Sequence, residues 1–71
     1  MDTQNTVVLD YLKTHKRGLS ALDAVQRLGI MRLSGRIFDL RRAGYDIETI
    51  TRESKNRYGK TVRYGVYMLR G

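Results

Sequence analysis

The chain has no cysteine, no proline and no tryptophan, with one histidine and one phenylalanine. Without cysteine there is no disulfide staple and no thiolate zinc site, and His15 alone makes no imidazole cluster for a metal. The fold must therefore rest on packing, in 71 residues whose one core is only marginally able to hold itself together. No Pro-rich or Ser-rich linker divides the chain, so residues 1–71 are expected to form a single domain. No apolar run approaches the roughly 20 residues of a membrane span. The stretch Met1-Asp2-Thr3-Gln4-Asn5 lacks the basic and apolar regions of a signal peptide, and a cytoplasmic protein without a membrane partner is expected. Enzymatic signatures are missing too: there is no Gly-rich phosphate loop, no serine and histidine in a catalytic motif, and no pair of carboxylates in a segment suited to a cleft. Neither catalysis nor a cofactor is expected. His15 reads as a helix-end residue whose partial positive charge suits the macrodipole.

Negative charge is scarce as well. Seven Asp and Glu stand against fourteen Lys and Arg, a formal net charge of +7, which favours a nucleic acid or another acidic surface. The apolar residues that remain repeat with a helical period as far as about Ala43 and alternate thereafter. A first helix is predicted over about 3–15, capped by Thr3, Asn5 or Thr6, with Val8, Leu9, Leu12 and Tyr11 inward. Lys16-Arg17-Gly18 ends it. Ser20 caps a second helix over about 20–28, Asp23 adds negative charge to its first turn, and Leu22, Val25 and Leu28 form its apolar stripe. Gly29 supplies a left-handed residue at its end, and a third helix over about 31–43 follows at a steep angle, the spacing of a helix-turn-helix. Past Gly44 two alternating runs flank the polar stretch Glu53 to Lys60, a hairpin over about 46–69, and Leu19 can add a short third strand. The expected class is α+β: a winged helix-turn-helix, with a three-helix core followed by a two-stranded wing.

The third helix carries Arg32, Arg36, Arg41 and Arg42, with Leu33, Ile37 and Leu40 within one narrow stripe. One face can be buried while the other meets a polyanion. A helix fits the major groove and reaches base edges with its N-terminal residues, so Arg32, Ser34, Gly35 and Arg36 are the expected base readers. Arg41 and Arg42 are expected on phosphate or in ion pairs, with Asp39 placed to pair with both Arg36 and Arg42. Gly35 costs roughly 1 kcal/mol relative to alanine inside a helix, and close helix packing or DNA approach would both explain it, packing being preferred. Phe38 lies off the stripe, where it can touch a partner. The wing forms the second constellation, with Arg52, Lys55, Asn56, Arg57, Tyr58, Lys60 and Arg63 placed to follow the backbone or enter the minor groove, against Glu53 alone. Tyr11, Tyr45, Tyr64 and Tyr67 read as core or strand residues rather than a single-strand stacking platform.

At Leu28-Gly29-Ile30 and at Arg36-Ile37-Phe38-Asp39-Leu40-Arg41-Arg42-Ala43-Gly44-Tyr45 the chain resembles small phage and prophage winged helix-turn-helix proteins. The likeness runs over nearly the whole length, including the basic, glycine-containing wing and Val62-Arg63-Tyr64. It implies the winged fold and double-stranded DNA as partner, in a nucleoid-associated or phage-infected setting, and brings no operator with it. A transcriptional regulator or an excisionase-like architectural factor fits this reading. A protein-interaction module docking its basic face on an acidic partner, such as a host DNA-binding protein, is the alternative. No heptad run or separate dimerisation helix is present, so the chain is expected to act as a monomer, a weak homodimer or a cooperative array on DNA.

Overall fold

The computed structural model describes residues 3–70. Three helical segments alternate with a small sheet in the order α1 (Thr3–Thr14), β1 (Leu19–Ser20), α2, α3 (Leu33–Arg42), β2 (Ile47–Lys55) and β3 (Thr61–Leu69). Here α2 is one α-helical turn, Ala21–Asp23, that runs directly into a π-helical turn, Ala24–Leu28. The sheet is antiparallel with strand order β1-β3-β2, and β1 is the short third strand foreseen at Leu19. This is the winged helix-turn-helix arrangement.

The core is built on helical spacing. Val8, Leu9 and Leu12 from α1 meet Leu33, Ile37 and Leu40 from α3, and Leu19, Ala24, Ile30 and Ile47 close the cluster from the other elements. Tyr11, Tyr45, Tyr67 and Leu69 pack half-buried around it, whereas Tyr64 stays on the surface. In a domain this small each of these residues carries a large share of stability: truncating a fully buried leucine such as Leu40 to alanine costs about 2–5 kcal/mol.

Two expectations about the helices are corrected. The predicted stripe of α2 does not form: Leu22 and Val25 are 64% and 43% exposed, Leu28 is half-buried, and Ala24 is the residue wholly buried. The reason is the π-turn, because hydrogen bonds that reach five residues back widen the helix and rotate positions three apart off a common face. The second correction concerns α1. It already begins at Thr3, so Thr3, Asn5 and Thr6 all lie inside it, and the cap position falls outside the described residues. Asn5 is buried rather than capping.

The turns follow local chemistry. The Ser20 hydroxyl oxygen accepts from the Asp23 amide at 3.1 Å, the N-cap expected of it. Gly29 stands at φ +68°, a left-handed geometry suited to glycine, and lets the Ile30 amide reach back to the Ala24 carbonyl at 3.0 Å. Gly18 answers a tighter demand: at φ +90°, a Cβ there would stand 2.6 Å from the Tyr67 carbonyl oxygen and 2.6 Å from Val66 Cγ1. Helix α3 ends in paired bonds from the Gly44 amide to the Arg41 carbonyl and from the Tyr45 amide to the Leu40 carbonyl, both 3.1 Å, which turn the chain into β2.

Register decides where each wing residue points. Ile47 pairs with Leu69, Thr49 with Tyr67, Glu53 with Arg63 and Lys55 with Thr61 on one face; Arg52 pairs with Tyr64 and Ser54 with Val62 on the other. The bonds Arg70 amide to Asp46 carbonyl (2.8 Å) and Asn56 amide to Lys60 carbonyl (2.9 Å) bracket the ladder and fix its phase. Even-numbered β2 residues thus bond inward to β3, while Ile47, Thr49, Thr51, Glu53 and Lys55 turn their amides and carbonyls to the open edge.

Candidate nucleic-acid interface

The outward ridge of α3 follows from the burial of its inner one. With Leu33, Ile37 and Leu40 inward, a rotation of about 100° per residue places Gly35, Phe38 and Arg42 on the opposite side, with Ser34 and Arg36 on the flanks. Phe38 is 59% exposed, and the Arg42 guanidinium lies 5.7 Å from its ring centroid. Nothing lies within 4 Å of a Cβ built on Gly35, so the expectation that this glycine serves helix packing is overturned. The bare backbone faces open space. Gly35 lies in a shallow hollow with Gln4, Gly29, Met31, Arg32 and Arg36, and Met31 on its rim is 83% exposed.

The N-terminal end of α3 is electropositive. Its first turn has no carboxylate, its free amides carry the positive end of the macrodipole, and Arg32 sits at the cap position with an exposed side chain. Helix α3 starts at Leu33, so Arg32 belongs to the turn before it and Met31 is outside the helix. Arg36 is held differently: its guanidinium pairs with the Asp39 carboxylate at 3.3 Å, and Asp39 also accepts from Asn5 Nδ2 at 3.2 Å. This chain from α1 through Asp39 orients Arg36 before any ligand arrives.

Two further pairings differ from expectation. Arg42 does not join Asp39; it lies over Phe38, because positions four apart share the outer ridge. Arg41, still exposed, turns from the outward ridge towards the sheet, donating from Nε and Nη2 to the Ile47 carbonyl at 3.0 and 2.7 Å and from Nη2 to Thr49 Oγ1 at 3.1 Å. Its guanidinium also stands 5.9 Å from the Tyr67 ring centroid. Arg41 thus covers the outward carbonyl at the start of β2 and ties α3 to the sheet.

The wing residues divide in the same way. At the tip, Asn56 Oδ1 accepts from the amides of Tyr58 at 2.9 Å and Lys60 at 3.1 Å, so this side chain shapes the turn. That leaves Arg57, Tyr58 and Lys60 exposed around it, with Lys55 just before. Arg63 is paired with Glu53 at 2.9 Å. Arg52 stands apart: strand alternation puts it on the face opposite Lys55 and Arg63, half-buried beside Tyr64. The described residues measure 41 × 24 × 19 Å.

The residues that sequence reasoning missed are Asn5, which reads as a cap yet orients Arg36 through Asp39, and Met31, an exposed apolar side chain beside bare helix backbone. Among the described residues no group of three or more His, Cys, Asp or Glu could hold a metal, and no helix is long and apolar enough to cross a membrane. No curated protein and no solved structure matches the chain. The family model described as a winged helix-turn-helix domain matches residues 3–71.

Proposed function

Because the chain belongs to the winged helix-turn-helix domain family, we propose that it binds double-stranded DNA with the outward ridge of α3 in the major groove and the wing on the flanking backbone or minor groove. The observation that carries this reading is the open space over Gly35 beside Arg32 and the oriented Arg36. A helix without a Cβ there can approach base edges closely, where Arg32 and Arg36 can each bridge O6 and N7 of a guanine. Phe38 and Met31 supply apolar surface for thymine methyl groups, while Ser34 and Arg42 meet base or phosphate on either side. Lys55, Arg57, Tyr58 and Lys60 form the second anchor. Arg41, Asn56 and Arg63 serve that surface from behind, by fixing α3, the wing tip and the wing strands.

Such a protein acts as a transcriptional regulator or an excisionase-like architectural factor, and its resemblance to small phage proteins favours a phage-type role. Selection of bound sites from random duplexes at two salt concentrations tests the reading, because it separates sequence preference from plain electrostatic attraction. An enriched motif whose binding is lost in Arg32→Ala/Arg36→Ala is the expected result. Unchanged duplex binding in that double variant would remove α3 from the interface and favour docking of the basic face on an acidic protein.

A further inference from the structure

A second basic surface lies at the other end of α1. Gln4 borders the hollow over Gly35, whereas His15 follows the far end of the same helix, eleven residues and about 16 Å along its axis. There the end of α1, the turn into β1, α2 and the middle of the hairpin enclose a half-open hollow of about 430 Å³, within the range of small-molecule sites. Lys16, Arg17, Arg27 and Arg52 line it, and Asp23 is the only carboxylate among its lining residues. Asp23 pairs with Arg27 at 3.9 Å; among the described residues, Lys16, Arg17 and Arg52 have no ion-pair partner.

Part of the wall is made of flat rings. Tyr11 and His15 stack with ring centroids 3.8 Å apart and planes within 4°, and His15 Nδ1 lies 2.9 Å from Thr14 Oγ1 and 3.1 Å from the Tyr11 carbonyl oxygen, so the pair is a fixed plate. Tyr64 contributes a further ring from β3. Three unpaired cations call for phosphate, flat rings call for a flat partner, and the Asp23 carboxylate can accept from a sugar hydroxyl or an exocyclic amine. A bare phosphate would leave most of this volume and all of the aromatic surface unused.

We propose that this hollow binds a phosphorylated nucleoside, its base against the Tyr11 and His15 plate or Tyr64 and its phosphate on Lys16, Arg17 and Arg52. The ligand is either a free nucleotide or the phosphorylated end of a nucleic-acid strand. Since Arg52 and Tyr64 face each other midway along the wing strands, occupancy there bears directly on the hairpin. The proposal does not depend on the duplex reading of α3.

Amide NMR titration of the full chain tests it, with adenosine 5′-monophosphate as probe and adenosine and inorganic phosphate as controls. Saturable shifts confined to residues 11–18, Arg27, Arg52 and Tyr64 are expected for the nucleotide, with each control at least fivefold weaker. The exposed pair Lys16→Gln/Arg17→Gln should weaken nucleotide binding at least tenfold while keeping the preference for an enriched duplex over a random one. Arg32→Ala/Arg36→Ala should do the reverse, which separates failure of this proposal from failure of the duplex reading. Shifts of equal size along α3 and the wing tip, phosphate binding as tight as the nucleotide, or no effect of the Lys16 and Arg17 changes would each overturn it. A 5′-phosphorylated tetrathymidylate compared with thymidine 5′-monophosphate identifies the source: tighter binding of the oligomer at the same residues marks a strand end, and equal binding a free nucleotide.

Discussion

Gly35 is the residue at which stability and function pull in opposite directions. An added methyl group meets nothing within 4 Å, and alanine is the better helix former, so Gly35→Ala should raise stability by about 0.5–1 kcal/mol. The same methyl stands where base edges or phosphates must come close, and duplex affinity should fall at least tenfold. Urea denaturation and fluorescence anisotropy on one sample check both signs; a stabilised variant with intact affinity would place the groove contact elsewhere on α3. The arginines separate in a related way. Arg41 spends its donors on the Ile47 carbonyl and Thr49, so Arg41→Ala should cost about 1–2 kcal/mol and uncover a carbonyl on an open strand edge. Its melting temperature should drop and its tendency to self-associate rise, seen by calorimetry and sedimentation. Arg36→Ala should show the converse, with affinity lost and the fold nearly unaffected.

At the scale of elements, the wing tip is a unit organised by one side chain. Asn56 holds two amides of the turn, and the cations beside it project from that frame. Asn56→Ala should leave global unfolding within about 0.5 kcal/mol of the parent, because the tip lies outside the core, yet speed amide exchange at Tyr58 and Lys60 and weaken DNA binding. Unaltered exchange there would show that the backbone turn needs no side-chain support. The elements also show which parts of the molecule could be read from residue order. Helix α3 was legible because Leu33, Ile37 and Leu40 keep strict helical spacing between two glycine-bounded ends, and the wing because alternation survives through Val62, Tyr64 and Val66. The inward face of α2 was not, since a π-turn has no distinctive composition and breaks the spacing by which a stripe is recognised. Nor was the sorting of arginines: Arg41 and Arg42 are neighbours in order, and only the phase of the hairpin decides that the Ile47 carbonyl lies open beneath one of them. The role of Asn5 is not legible in residue order, because an asparagine near a helix start is equally suited to capping and only the packing of α1 on α3 brings it to Asp39.

At the scale of the whole molecule the charge of +7 is unevenly available. Arg36 and Arg63 are paired with carboxylates and Arg41 with a carbonyl, whereas Arg52 lines the hollow beside the middle of the hairpin. Arg32, Arg42, Lys55, Arg57 and Lys60 remain on the proposed DNA face, each exposed. With Arg32 on a base, if Arg42, Lys55, Arg57 and Lys60 meet four phosphates, the logarithm of affinity should fall with the logarithm of salt at a slope of about −3.6, from roughly 0.9 counterions released per duplex phosphate. Removing the three wing cations together, as Lys55→Gln/Arg57→Gln/Lys60→Gln, should bring the slope to about −0.9 and weaken all duplexes alike. Arg32→Ala should instead leave the slope nearly unchanged and relax preference at its own base position, because it is assigned to base readout. Anisotropy titrations between 50 and 300 mM NaCl, a range chosen at roughly physiological ionic strength and either side of it, separate the two patterns. A slope that the triple change leaves untouched would mean that the wing stands clear of the duplex, and that α3 alone supports the contact.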